Sequence, residues 1–339
     1  MHSGCLKGLV SSSILLAVIL FWHTALLRTR REQDTRSRAN PFSGAKHPFR
    51  SSLEDLSSLS GGVDFPSLLA DSFPEPHCHK RLVLLVLVTS SPGHFGPRQV
   101  IRGTWAAEET WTPFPWQTVF LLGQTSDDSI AREIQKEQQR FGDVLVGNYL
   151  DTYRNLSLKV MHGLKWATER CRPEYILKTH DDCFVNGDRL PAFLAEHNTI
   201  KTGLYVGAVL PRPKRRVIRE PSSNWYVSRQ DYQPEEYPPY ATSTGYVLSL
   251  DAASDILRVA ERTPPILAED AYVGILARKA GIWVKASGRF ARYNAKWRVC
   301  NYRYLMVIHQ LSAKGQTLAK VNMLKARTAC EDSREVIRW

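Results

Sequence analysis

The chain has six cysteines but no Cys-x-x-Cys pair, so a zinc site lacks its usual paired thiolates. It has no zinc-finger spacing and no long lysine or arginine block, which leaves nucleic acid poorly served despite a formal net charge of +12. No segment repeats. One long apolar run exists, Gly8–Leu27, and no small-x-small cleavage site clearly follows it, which favours a retained anchor over a cleaved signal peptide. What is present is ordinary for a globular protein with a real core: 339 residues, 43% hydrophobic and 23% charged. Much of the positive excess is arginine scattered along the chain. Where such charge is more than a solvated surface, it favours an anionic partner such as a phosphorylated substrate or anionic lipid.

The apolar run has the length of about one membrane span. Only Lys7 flanks it upstream, whereas Arg28, Arg30 and Arg31 flank it downstream. Taken alone, that asymmetry would leave the long C-terminal portion in the cytosol. Residues 28–79 are rich in Ser, Pro, Gly and Arg without a sustained period and read as a stem. Five cysteines follow the run: Cys78, Cys171, Cys183, Cys300 and Cys330. In a secretory compartment they would supply one or two disulfides and leave a thiol over, with the pairing open.

From residue 80 a β-α rhythm begins. Arg81–Val88 is a continuous apolar run, as in a strand buried on both faces. A helix is expected around Arg98–Trp105, a strand at Val119–Gly123, a polar helix at Ser129–Phe141, a short strand at Val144–Gly147 and a helix over Leu156–Arg170. The strand Tyr175–Val185 runs into acids. Later strands are expected at Leu204–Val209, Gly245–Leu250 and Ile282–Ala286, with helices near Ala252–Arg262 and Glu269–Ala280. This alternation predicts an α/β fold with a mostly parallel sheet covered by helices.

Five stretches could carry chemistry, and each has a plainer structural reading. His180-Asp181-Asp182 ends a buried strand at the sheet edge where ligands bind in open α/β folds. Adjacent acids there suit a hard divalent cation that also grips a diphosphate, or they simply cap a turn. Arg98 and Arg102, four apart, share a helix face that could hold phosphate or be a surface pair. In Asp151-Thr152-Tyr153-Arg154-Asn155-Leu156-Ser157-Leu158-Lys159, Asp151 could cap the helix, Asn155 begins a glycosylation sequon, and Lys159 could face a phosphate. The tract Tyr237-Pro238-Pro239-Tyr240, followed by small residues, could stack on a sugar or base, or pack on the core. Glu269-Asp270 at a helix start could be caps, or one acid could be a general base.

Taken together, these stretches resemble the β-1,3-galactosyltransferase family, including its N-acetylglucosaminyl branch, over roughly Arg81–Cys330. The matching patterns are Arg98–Trp105, Asp151–Lys159, Tyr237–Val247 and Glu269–Gly274. The tail from Cys300-Asn301-Tyr302-Arg303 through His309 to Cys330 is similar to the galactosyl branch. The resemblance implies a GT-A-like domain (80–339) behind a cytoplasmic tail (1–7), a signal anchor (8–27) and the stem (28–79). It implies a type II Golgi membrane protein with a luminal catalytic domain, against the flanking charges. The implied reaction is inverting transfer of galactose from UDP-galactose to the 3-hydroxyl of an acceptor glycan on a glycoprotein or glycolipid. Mn²⁺ would be held by Asp182 and His309, Asp270 would serve as base, and Arg98, Arg102, Lys159, His180 and Asp181 would surround the donor. Two departures stand out. His180 replaces the first of the usual three acids, and Ala241 stands where the family carries Cys after Tyr-Pro-Pro-Tyr. An N-acetylglucosaminyl donor, or a catalytically impaired glycan-binding relative, are the alternatives.

Overall fold

The computed structural model describes residues 62–68, 73–107, 113–330 and 338–339. The expected anchor at 8–27 lies outside the described residues, and no helix among those described is long and apolar enough to cross a membrane. The packed body starts earlier than the expected boundary at residue 80. Val63, Phe65 and Leu68 are buried in the core, and the Val63 N–H donates to the Ala260 carbonyl at 2.8 Å. Cys78 is bonded to Cys171, and Cys300 to Cys330. The remaining described cysteine, Cys183, is a buried free thiol.

The main sheet has seven strands: β1 (Leu84–Thr89), β2 (Trp116–Gln124), β3 (Val144–Leu150), β4 (Tyr175–His180), β6 (Tyr205–Val209), β7 (Ala241–Ser249) and β8 (Lys285–Ala286), in the order β3-β2-β1-β4-β7-β6-β8. A small second sheet joins β5 (Phe184–Val185), β10 (Val307–Ile308) and β9 (Phe290–Ala291). The half containing β3, β2, β1 and β4 is parallel, as the alternation predicts. In the other half β6 and β8 also pair in parallel, and β7 alone is reversed, antiparallel to both β4 and β6, so the sheet is mostly parallel as expected. Strand direction follows from the route of the connection, here the long 210–240 segment, and leaves no mark on the strand residues themselves.

Both faces of the sheet are covered. Along β1, Leu85 and Leu87 enter one core with Val160 and Leu164 of α3 (Leu156–Trp166), Ile256 of α5 (Leu250–Ala260) and Tyr272 of α6 (Glu269–Lys279). Leu84, Val86 and Val88 enter the opposite core with Ile101 of α1 (Phe95–Gly103), Ile134 of α2 (Asp128–Phe141), Phe193 of α4 (Arg189–Glu196) and Met323 of α7 (Ala313–Ala329). A strand buried on both faces has no polar side to display, hence the unbroken apolar run. Caps set the helix ends. Asp127 accepts from the N–H groups of Ser129 and Ile130 at the start of α2, and Gly142 closes it at φ +63°, a conformation glycine adopts without strain. The expected helix 156–170 is α-helical only to Trp166. A π turn then carries Ala167–Cys171, ending at Arg172 with φ +51°.

Candidate active site

β4 and the turn after it deliver His180, Asp181 and Asp182 to the carboxyl edge of the sheet, beside the turn that follows β1. The Asp181 carboxylate accepts from the Ser90 hydroxyl at 2.7 Å and lies 2.8 Å from His94 Nδ1. That bond raises the His94 pKa above its ordinary value, against partial burial. The backbone carbonyl of Asp181 accepts from Gln316 Nε2, and the oxygen of Gln316 accepts from the buried indole of Trp105. The last residue of the Arg98–Trp105 stretch therefore clamps the acid-bearing turn through α7.

The arginines of that stretch do not face a ligand, which corrects their expected role. Arg98 is fully buried. Its Nε and Nη2 donate to Glu137, its Nη1 to the Ser90 hydroxyl and the Ser91 carbonyl, and its Nη2 also to the Pro92 carbonyl. These bonds occupy all five donors of a guanidinium. Arg102 donates to Asp143 through Nε and Nη2 and to Glu137 through Nη1, and it lies over the rings of Phe120 and Phe141. The pair shapes the turn that presents Ser90 to Asp181, so its influence on the site is indirect.

Lys159 is also buried. Its ammonium donates to the Ser90 carbonyl and to Asp151, each at 2.8 Å. Asp151 does not cap α3 as expected. Its other oxygen accepts from the Gly123 N–H at 2.6 Å, which locks the edge of β2 to Lys159. Asn155 is a further correction. It is 6% exposed, and its Nδ2 donates to the Leu150 carbonyl, so the nitrogen that would carry a glycan is enclosed and engaged. Asn155-Leu-Ser is the only sequon in the chain. The folded protein secreted from a glycosylating host is therefore expected to show no mass change on peptide-N-glycosidase treatment, and a loss of one N-glycan mass would contradict this placement.

His180 is held from both sides. Nδ1 meets the Thr89 hydroxyl at 2.8 Å, and Nε2 meets the Lys178 ammonium at 3.1 Å. Burial, then the charges of Lys178, His309 and Lys159, keep its pKa well below the ordinary value, so the ring is neutral. A neutral imidazole has one donor and one acceptor. Lys178 can only donate, so Nδ1 carries the proton and donates to Thr89, whose hydroxyl donates to the Thr179 carbonyl. Neither ring nitrogen remains for a metal or ribose, which corrects the expected donor contact. Lys178 also donates to Glu269 at 2.7 Å, and Glu269 accepts from the Tyr246 hydroxyl at 2.7 Å. This buried chain escaped the sequence reading. Its one legible signal is a lysine directly after the apolar run Tyr175-Ile176-Leu177, in the same strand.

Asp182 and His309 come together. Their Oδ2 and Nε2 are 3.3 Å apart, and both side chains reach solvent. The pairing of β10 with β5 and the Leu311 N–H donated to the Asp182 carbonyl fix the gap. Carboxylate oxygen and imidazole nitrogen suit a divalent cation such as Mn²⁺. Cys183 Sγ lies close enough to make a third ligand. However, burial pushes the thiol well above its usual range, and it donates to the Thr244 carbonyl, which removes it from that role.

Asp270 sits half-buried in the first turn of α6. One carboxylate oxygen accepts from the Ser243 N–H at 3.0 Å, the other from the Ala271 N–H. Burial and the neighbouring Glu269 carboxylate raise its pKa to about 6, against Lys178 and the two N–H donors. Ser243 is on β7, whose Gly245 pairs with Thr179 of β4. The base candidate therefore shares the sheet edge on which Asp182 stands. Tyr237 and Tyr240 are buried, so the plainer reading of that tract holds. Tyr240 packs so closely on α6 that a Cβ at Gly274 would lie 2.3 Å from its own, hence glycine there.

The profile of the galactosyltransferase family matches residues 97–287. Beta-1,3-galactosyltransferase 1 of Mus musculus and of Homo sapiens are each 33% identical over 251 residues, covering 70% of this chain and 73% of theirs. Beta-1,3-galactosyltransferase 5 of Pan troglodytes is 35% identical over 241 residues, covering 70% of this chain and 80% of its own. The chain belongs to the galactosyltransferase family and is a hexosyltransferase.

Proposed function

We propose that this enzyme transfers galactose from UDP-galactose to the 3-hydroxyl of an acceptor sugar with inversion, in the Golgi lumen, behind a single-pass type II anchor. The observation that carries the mechanism is the hydrogen bond from Ser243 to Asp270. It sets a carboxylate of raised pKa on the sheet edge that also bears Asp182 and His309. Asp270 takes the proton from the acceptor hydroxyl as that oxygen attacks the anomeric carbon, and a single base suffices for direct displacement. Asp182 and His309 would hold Mn²⁺. When bound, the ion supplies Lewis-acid stabilisation to the departing diphosphate. Asp181, fixed by Ser90 and His94, flanks the nucleotide. Lys159 adds a positive charge beneath the turn after β1. The two disulfides and the relatives named as β-1,3-galactosyltransferases support this reading.

The test is UDP release by purified protein that retains the chain from Gly62, since Val63 and Phe65 belong to the core. Mn²⁺ and a panel of β-linked N-acetylglucosamine, N-acetylgalactosamine and galactose acceptors are supplied. Acceptor-dependent turnover with UDP-galactose is expected. Turnover with UDP-N-acetylglucosamine alone would overturn the donor assignment. For Asp182→Asn and for His309→Ala, the Mn²⁺ concentration giving half-maximal rate is expected to rise by more than about 10-fold. An unchanged Mn²⁺ requirement in both would remove these residues from the metal site.

A further inference from the structure

The connection between β6 and β7 carries an exposed aromatic residue that the reaction outlined above leaves without a task. Trp225 is 54% exposed, and its ring meets the ring of Tyr153, itself 45% exposed, edge-on at 5.3 Å. Tyr153 lies in the turn between β3 and α3. The next turn of the chain is tied to the approach to α6, because the Ser157 hydroxyl donates to the Ile266 carbonyl at 2.6 Å. The Tyr153 phenol is raised far above its ordinary value by desolvation and then by the charges of Asp270 and Glu269.

The connection itself is held firmly. Arg219 donates to the carbonyls of Val227, Ser228, Tyr232, Gln233 and Pro234. Val217 and Val227 are buried in the core that includes Ala271. Tyr232 stacks on Tyr237, and Tyr237 meets Tyr240, which packs against α6. Trp225 is thus a large apolar surface left in water on a braced support, whose stacked rings lead to the helix that carries Asp270. Tryptophan and tyrosine serve as rigid binding anchors because they offer much contact area for few torsions.

We propose that Trp225 and Tyr153 form the platform on which the acceptor pyranose packs its C–H face, presenting its hydroxyl to Asp270. This rests on the galactosyl-transfer reading of the Asp270 site and assigns its acceptor side. The platform recognises a sugar ring, whatever glycan bears it.

Saturation-transfer NMR on the full chain, with UDP and Mn²⁺ present, would use the methyl β-glycosides of N-acetylglucosamine, N-acetylgalactosamine and galactose as probes. Wild-type protein is expected to saturate the ring protons of at least one probe, Trp225→Ala to lose that signal, and Trp225→Phe to retain part of it. Trp225 is exposed, so its truncation spares the core, and Tyr153→Leu gives an independent second variant. In steady-state kinetics the acceptor KM of Trp225→Ala should rise about 10-fold or more, with the donor KM unchanged. A full signal in both variants, absence of signal from all three probes with wild-type protein, or equal shifts in both KM values would overturn the platform. If wild-type protein binds a probe through Trp225 but shows no turnover with either donor, the transfer reading fails and the sugar site stands. If turnover is normal and the variants behave as wild type, the transfer reading stands and the platform falls.

Discussion

Replacing Asp270 with asparagine is expected to lower the transfer rate by about 10²–10⁴-fold, the contribution of a positioned general base. The wild-type rate should rise with pH through about 6, where burial and the Glu269 charge place the Asp270 proton. Below that pH the carboxyl holds its own proton and cannot accept another. The consequence for stability has the opposite sign. A carboxyl whose folded pKa lies above its unfolded value binds its proton more tightly when folded. Its contribution to stability is therefore complete below about pH 4, decreases as pH rises, and is gone above about 6. Asp270→Asn should accordingly melt no lower than wild type at pH 7.5, with any advantage vanishing near pH 4. Loss of rate together with a collapsed melting temperature would show that Asp270 is structural.

Replacing Glu269 with glutamine is expected to cause a large loss of stability. The Lys178–Glu269 pair is buried to within 1% on both sides at 2.7 Å. Removing one partner leaves an uncompensated ammonium in the core, at a cost of about 3–5 kcal/mol. For a domain of this size that corresponds to a melting temperature lower by roughly 10 °C. Adding Lys178→Met removes the stranded charge and should recover most of the loss. A double variant no more stable than the single would refute this account of the pair. Glu269→Gln also deletes the charge that helps to raise Asp270, so the ascending limb of the rate profile should move to lower pH. A limb that stays near 6 would mean that burial alone sets the titration.

The parallel half of the fold was legible because strands buried on both faces and amphipathic helices leave strong periods. Two helices were not. α4 contains Pro191 in its first turn, which reads as a break although proline is tolerated there. α7 buries Gln316, Ala319, Met323 and Ala326 while Leu318, Val321 and Leu324 face outward, so its apolar pattern marks the wrong face. The three strands of the small sheet have two residues each, too few to show a period. At the site, the motifs singled out Asp182, Asp270 and His309, and the fold brings Asp182 and His309 to 3.3 Å of one another. Arginines four apart show which side chains share a face, not what lies opposite. For Arg98 and Arg102 the answer was Glu137 and Asp143, more than thirty residues away. His180 failed as a ligand for the same reason: its partners are Thr89, from a neighbouring strand, and Lys178, from two positions back.

The bond between Cys300 and Cys330 closes a loop of thirty residues, and His309 lies inside it. By chain entropy a closure of that length is worth about 3–4 kcal/mol to the fold. Half of the proposed metal-binding pair is thus borne on a tethered segment, whereas Asp182 belongs to the sheet edge. In a thiol-rich cytosol that tether would be open and the histidine arm would hold its place only through β10. On the function proposed above, an enzyme wired in this way would acquire its full grip on a cation only after entering an oxidising lumen, and a chain still in transit, before its cysteines have closed, would be slow to consume sugar nucleotide.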